Sequence, residues 1–298
     1  MTRICVTGAN GQLGSELQNL AGPAGEHFNF DFTDIDELDL TQSDQVEAYL
    51  TNVKPHFVIN CAAYTAVDQA ESDREKAFLI NREVPKNLGA LAVKLSFKLV
   101  HISTDYVFPG NQPIPLKEDA PTRPYSVYGT TKLAGEEQLQ KNEQAMIIRT
   151  SWLYSTHGKN FVKTMVRLMQ EKKQLKVVFD QTGSPTYARD LAGAIFHIIQ
   201  QVSRGEHTFE PGIYHYSNEG VASWYDLAMQ IRRFLGANCQ VEPVYTEAFP
   251  LPAPRPVYSV MNKKKIRDTY HLDIPHWYDS LEECLRELKT QSNEKNTK

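Results

Sequence analysis

Thr7-Gly8-Ala9-Asn10-Gly11-Gln12-Leu13-Gly14 decides how this chain folds. The apolar run Arg3 to Thr7 reads as a β-strand. Gln12 to Leu20 reads as a helix with Leu13, Leu17 and Leu20 on one face. Glycines three apart in a strand-to-helix turn suit a phosphate-binding loop. Gly8 allows the tight turn, Gly11 lets backbone approach a pyrophosphate, and Gly14 lets the helix pack close to the strand. Unpaired N–H groups of the first helical turn then face the phosphate charge. The spacing is G-x-x-G-x-x-G, not the commoner G-x-G-x-x-G, but the physics is shared.

Working outward, strands and helices alternate. Phe28 to Asp34 reads as a strand. Thr41 reads as an N-cap, with Asp44 three residues on, opening a helix through Leu50. His56 to Asn60, Phe97 to Ile102 and Ala145 to Thr150 read as further strands. Ala77 to Val93 is helical in pattern, with a break expected at Pro85. This alternation predicts an α/β fold, a Rossmann-type doubly wound parallel sheet. After Thr150 the pattern loosens: helices at Asn160 to Gln170, Asp190 to Gln201 and Ala222 to Phe234, and a strand at Leu175 to Phe179. The expected division is a dinucleotide-binding domain over 1–150 and a smaller, mainly substrate-binding lobe over 151–298, with some segments returning to the first domain. Five prolines between Phe108 and Pro124 mark a long loop. The last ten residues are polar and are expected to fray.

The 298 residues are 41% hydrophobic and 23% charged, with a formal net charge of −4. That excludes a disordered chain, a collagen-like rod and a coiled coil. It gives no footprint for nucleic acid or an anionic membrane. No apolar stretch is long enough to span a bilayer and no signal peptide is read, so a cytoplasmic location is expected. Cys5, Cys61, Cys239 and Cys284 form no C-x-x-C and are expected as free thiols. The histidines show no metal-ligand spacing, and no structural zinc is expected.

Three further features carry chemistry. Asp34 stands about twenty residues beyond Gly14, where a ribose-binding acid belongs. Asp36, Glu37 and Asp39 surround it without a Lys or Arg, which repels a 2′-phosphate and leans the expectation to NADH over NADPH. Tyr128-Gly129-Thr130-Thr131-Lys132 spells Y-x-x-x-K, placing both functional side chains on one helix face. An ammonium beside the phenol is expected to lower its pKa and make it a usable acid. The strand ending His101-Ile102-Ser103-Thr104 puts a hydroxyl at the ligand crevice. Thr104 is the choice and Ser103 its competitor, because strand alternation points only one inward.

Together these residues resemble the extended short-chain dehydrogenase/reductases, and within them the dTDP-4-dehydrorhamnose reductases. The resemblance spans nearly the whole chain. It rests on the glycine loop, Asn60-Cys61-Ala62-Ala63-Tyr64-Thr65-Ala66-Val67-Asp68, Ser103-Thr104-Asp105-Tyr106-Val107-Phe108, the Tyr128–Glu136 run, Arg149-Thr150-Ser151-Trp152, Asn160-Phe161, Asp180-Gln181, Gly183-Ser184-Pro185-Thr186 and Arg255-Pro256. It implies an NADH- or NADPH-dependent enzyme that reduces the C4 ketone of dTDP-4-dehydro-L-rhamnose, working as a monomer or homodimer. Position by position it implies that Asn10, Gly11, Gln12 and Leu13 hold the pyrophosphate. Asp39 and Leu40 would lie beside the adenine, and Ala62, Ala63 and Tyr64 on the nicotinamide side. Thr104, Tyr128 and Lys132 would be catalytic, with Tyr128 and Lys132 also at the cofactor, Lys132 on its nicotinamide ribose. Thr104, Asp105, Tyr128 and Trp152 would meet the substrate, and Arg255 its diphosphate. Some members of the family form metal-bridged dimers. Glu16 sits where one ligand belongs, but Arg189 stands where another acid is needed, so no metal is expected. Rival readings are another nucleotide-sugar dehydrogenase or epimerase, a 4,6-dehydratase, and a non-catalytic cofactor-binding regulatory subunit. A dehydratase needs a second acid after Asp105, where this chain has Tyr106.

Overall fold

A computed structural model describes residues 1–22 and 27–296. Its frame is β1 (Thr2–Thr7), α1 (Gln12–Ala21), β2 (Phe28–Thr33), α2 (Ser43–Val53) and β3 (Phe57–Asn60). Next come α3 (Val67–Ala70), α4 (Arg74–Phe78), α5 (Val84–Leu95), β4 (Lys98–Thr104), α6 (Val127–Leu139) and β5 (Ala145–Thr150). The central sheet is parallel throughout, in the order Gly212–His215, β5, β4, β3, β1, β2. The strand order reverses between β1 and β3, which opens a crevice at their carboxyl ends.

Both sheet faces are covered, as near-continuous apolar strands require. Ile4, Val6, Ile59, Val100 and Ile148 pack against Leu13 and Leu17 of α1 and against Leu191, Ile195 and Ile198 of α8 (Ala188–Ser203). Cys5, Val58, Leu99 and Ile147 point the other way, onto Val46 and Leu50 of α2 and Leu88 and Leu91 of α5. A separate core joins α7 (Phe161–Glu171), α9 (Trp224–Leu235) and α11 (Trp277–Asn296) through Met165, Leu227, Ile231 and Leu281. Residues after 151 therefore contribute to two cores. One of them is the Rossmann core, through α8, strand Gly212–His215 and α10 (Lys264–Tyr270).

Several expectations need correction. Thr41 is not an N-cap: its hydroxyl donates to Asp39 Oδ1 at 2.7 Å, and α2 starts at Ser43 behind Gln42. Pro85 does not break the helical run. The chain passes from α4 through a π turn, Leu79–Glu83, into α5, whose first turn holds Pro85. Widening the helix there accommodates a residue without an N–H to give. The polar C-terminus is not frayed from its tenth-last residue, since α11 continues to Asn296. The strand at Gly212–His215 has four residues, too few for a period to show in sequence.

The five-proline loop is stitched to a distant segment. Leu116 N donates to Val260 O at 2.9 Å and Asn262 N to Leu116 O at 2.7 Å. Thr182 N donates to Val257 O and Ser259 N to Thr182 O, each at 2.8 Å, so residues 250–262 form a strap that runs beside the loop and Thr182.

Candidate active site

A cavity of about 880 Å³ opens at the carboxyl ends of β1, β3, β4 and β5. The glycine loop forms its floor. Gly8 has φ +67°, and a Cβ there would lie 2.6 Å from Ala62 N. A Cβ on Gly14 would lie 2.5 Å from Gly8 O. Both positions therefore demand glycine, one for backbone conformation and one for helix–strand closeness. Gly11 faces the cavity, its N–H bonded to Gly8 O at 3.1 Å. Residues at this loop fit a dinucleotide pyrophosphate: backbone comes to the surface where a side chain would fill the cradle. Asn10, Gln12 and Leu13 line it as well.

Asp34 ties this loop to the end of β2 by accepting from Asn10 N at 2.8 Å and Ile35 N at 2.8 Å. Asp39 accepts from the hydroxyl and backbone N–H of Thr41, which hold its carboxyl below the usual range. Asp34, Asp39 and Leu40 all line the cavity, as do Ala62 and Ala63. Tyr64 is placed differently. Its N–H donates to Asn81 Oδ1 at 2.9 Å, its hydroxyl donates to Asp73 at 3.2 Å, and it is not among the lining residues.

The placement of α6 decides the chemistry. Ser126 caps it by accepting from Gly129 N at 3.1 Å, and Glu71 accepts from Val127 N at 2.8 Å. Side chains at two positions would force the helix away. A Cβ on Gly129 would sit 2.3 Å from Tyr106 O, and one on Gly135 would sit 2.1 Å from Asn81 O of the π turn. Glycine at both lets the helix press against the end of β4. Tyr128 and Lys132 then line the cavity with Thr104 and Asp105.

The two hydroxyls at the end of β4 diverge. Ser103 Oγ donates to Glu136 Oε1 at 2.5 Å, beneath the site. Thr104 Oγ1 donates to Asp105 Oδ1 at 3.0 Å, and both residues line the cavity with Tyr128. Beneath them Glu136 and Arg149, each 2% exposed, form a multiply bonded ion pair with a 2.7 Å Nη2–Oε2 contact. Sequence reading missed this pair, although Glu136 follows Lys132 at i+4 on the same face as the Y-x-x-x-K motif.

The electrostatics differ from expectation in one respect. Burial pushes Tyr128 up to about 12, against the Thr104 hydrogen bond, rather than down. Lys132 is itself pulled down to about 8 by burial, with Glu136 and Cys61 opposing. Its ammonium donates to Ile102 O at 2.7 Å. Thr104 opposes the rise of the phenol, and the Asp105 charge adds to it.

Trp152 enters the cavity from the start of the second lobe with φ +49°. Its ring stacks on Trp224 at 3.6 Å and 5°. Gly183 sits against the indole, where a Cβ would be 2.7 Å from Cε2. Arg255 is drawn elsewhere. It forms a two-pronged pair with Asp68 at 2.6 and 2.7 Å, donates to Ala253 O, and is not among the lining residues. Glu16 is fully buried and engaged by Ser155 Oγ at 2.6 Å and Arg189 Nε at 3.4 Å. Sequence reading also missed Tyr106 and Lys159 as lining residues. Tyr106 directly follows Asp105. Lys159 precedes Asn160, which caps α7 and donates to Gln12 Oε1 at 2.9 Å.

Comparison with known proteins places this geometry. The sequence model of the RmlD substrate binding domain matches residues 1–290. A dTDP-4-dehydrorhamnose reductase of Escherichia coli (strain K12) is 38% identical over 96% of this chain and 98% of that protein. A probable dTDP-4,6-dihydroxy-2-methyloxan-3-one 4-ketoreductase of Streptomyces antibioticus is 41% identical over 96% of this chain and 95% of that protein. The crystal structure of a Bacillus anthracis dTDP-4-dehydrorhamnose reductase in complex with NADP superposes with a TM-score of 0.90 at 40% identity, covering 96% of this chain and all of that one.

Proposed function

The chain belongs to the RmlD substrate binding domain family, and from that premise we propose that it is a dTDP-4-dehydrorhamnose reductase. It reduces the C4 ketone of dTDP-4-dehydro-L-rhamnose to give dTDP-L-rhamnose, a precursor of surface polysaccharide, as an NAD(P)H-dependent oxidoreductase. One observation carries this reading: Thr104, Tyr128 and Lys132 converge on the cavity floored by the glycine loop.

When bound, NADH or NADPH supplies the hydride. Gly8, Asn10, Gly11, Gln12, Leu13 and Gly14 would hold its pyrophosphate, Asp34, Asp39 and Leu40 its adenosine end, and Ala62 and Ala63 its nicotinamide end. Tyr64 supports that last stretch through its backbone. As negative charge develops on the ketone oxygen, Tyr128 gives it a proton and Thr104 hydrogen-bonds it. Lys132 places a positive charge beneath the site. Trp152 and Asp105 meet the sugar. Arg255 serves a diphosphate only by leaving Asp68, so substrate entry and strap position are linked in this reading. The lobe after residue 151 contributes Trp152 and Arg255 to the substrate in this reading.

Elimination chemistry is disfavoured by Tyr106. The place where a dehydratase needs a second carboxylic acid holds a phenol packed edge-on against Tyr128 at 5.4 Å. Four cysteines left as thiols accord with a cytoplasmic location. Among the described residues no helix is long and apolar enough to cross a membrane.

The test is a panel of dTDP- and UDP-linked 4-keto sugars assayed with NADH and with NADPH. Oxidation of reduced cofactor driven by dTDP-4-dehydro-L-rhamnose is expected. Its absence across the panel, with cofactor bound, would leave a regulatory subunit as the reading.

A further inference from the structure

One face of α1 is docked on a segment of the second lobe. Gln12, Glu16 and Asn19 stand at i, i+4 and i+7, on the same side of that helix. Each is bonded to a residue between 153 and 160. Gln12 Nε2 donates to Leu153 O at 3.4 Å, and Gln12 Oε1 accepts from Asn160 Nδ2 at 2.9 Å. Buried Glu16 accepts from Ser155 Oγ at 2.6 Å. The Asn19 amide meets the His157 ring at 3.2 Å. Gly158, at φ +64°, turns the chain against Gln12, where a Cβ would lie 3.0 Å from Gln12 Cγ. The segment is therefore held at both ends and in its middle. The residue after Gly158 has a fixed place at the start of α1.

That residue is Lys159. It is exposed, yet it lines the cavity, as do Gly11, Gln12 and Gly158. The charged side chains of the lining are Asp34, Asp39 and Asp105 against Lys132 and Lys159. Lys132 is committed to Ile102 O at 2.7 Å. Lys159 has no hydrogen-bond or ion-pair partner among the described residues. A dinucleotide brings a dianionic diphosphate to the glycine loop. The loop offers backbone N–H groups and the partial positive charge of a helix start. One of those donors, Gly11 N, is already bonded to Gly8 O at 3.1 Å. A full positive charge is the element that the loop itself lacks. An ammonium supplies it, with three donors on a flexible stem.

We propose that Lys159 is a binding residue for the diphosphate of the dinucleotide, presented from the second lobe by the segment docked on α1. The N–H groups of the glycine loop and the Lys159 ammonium share the diphosphate charge. The segment starts at the residue after Trp152, so a bound dinucleotide also braces the wall that meets the sugar. This rests on the dinucleotide reading of the glycine loop above.

The experiment measures Kd by calorimetry for NADH, NADPH, ADP-ribose and dTDP, and for adenosine by displacement of NADH. It compares the wild-type protein with Lys159→Gln, Lys159→Arg and Lys172→Gln. Lys159 is exposed, so its replacement does not endanger the fold. Lys172 is exposed at the far end of α7, outside the cavity lining, and is the charge-matched control. Lys159→Gln should weaken NADH, NADPH and ADP-ribose by about tenfold each, the size of one charged hydrogen bond. Adenosine, which has no diphosphate, should bind as before. Lys159→Arg should regain most of the loss, and Lys172→Gln should match wild type. Raising salt from about 0.05 to 0.5 M should narrow the gap between wild type and Lys159→Gln. Wild-type affinity in Lys159→Gln overturns the proposal. An equal loss for adenosine, or a gap that salt does not move, marks a structural effect and also overturns it. A loss on dTDP without one on ADP-ribose puts Lys159 at the substrate and overturns the cofactor assignment. In each of these cases the dinucleotide reading stands; a wild-type protein that binds neither dinucleotide overturns both.

Discussion

Lys132 donates its ammonium proton to the Ile102 carbonyl at 2.7 Å. That bond fixes the amine to the end of β4, one residue before Ser103. It makes Lys132 a brace between α6 and the sheet as well as a charge in the site. Because burial holds Lys132 down to about 8, its charge is exposed to alkaline titration. The folded pKa lies below the unfolded one, so the unfolded chain binds more protons between about pH 8 and 10.5. Folding stability from this group should therefore rise across that window, while any function needing the ammonium should fall. Cofactor affinity measured by fluorescence titration should weaken above about pH 8, and urea midpoints should not weaken with it.

Tyr128→Phe removes the proton donor and little volume. We expect kcat to fall by about 10²- to 10⁴-fold, with cofactor binding nearly intact. Steady-state turnover beside a cofactor titration checks this; wild-type turnover would remove Tyr128 from its role.

Gly8→Ala puts a methyl into the backbone of Ala62 at a left-handed φ. Cofactor affinity and stability should fall together, the latter by about 1–3 kcal/mol. Gly193→Ala, where a Cβ meets nothing within 4 Å, is the matched control and should leave affinity unchanged. Paired melting curves and binding isotherms separate the two.

Glu136→Gln leaves Arg149 buried without its counter-charge. Removing one partner of such a pair costs about 3–5 kcal/mol. Replacing both partners by apolar residues of similar size should cost less than either single change. Denaturant unfolding of the three variants measures the coupling.

Much of the fold was readable because apolar strands and a period of 3.6 repeat cleanly through Thr150. The glycine loop was readable because Gly8 and Gly14 are required by backbone geometry that sequence spacing encodes. Strand Gly212–His215 was not, since its identity depends on pairing with β5 far away in sequence. The helical run through Pro85 was misjudged because the π turn that absorbs the proline has no local signature. At the site, Y-x-x-x-K gave the helix face but not the depth of α6. That depth comes from Gly129 and Gly135 meeting carbonyls of Tyr106 and Asn81. Without it, burial of the phenol could not be weighed against the ammonium. Arg255 was legible as a guanidinium suited to phosphate, but its bond to Asp68 spans 187 positions and leaves no local trace.

Trp152, which lines the cavity, lies face to face with Trp224, another of the three tryptophans in this chain. Stacked indoles share their excited states, so the protein carries its own optical gauge. A sugar nucleotide sliding against Trp152 should alter the near-ultraviolet circular dichroism and emission of that pair. Arrival of the substrate can then be timed in stopped flow without a dye, apart from the absorbance change that reports the chemistry.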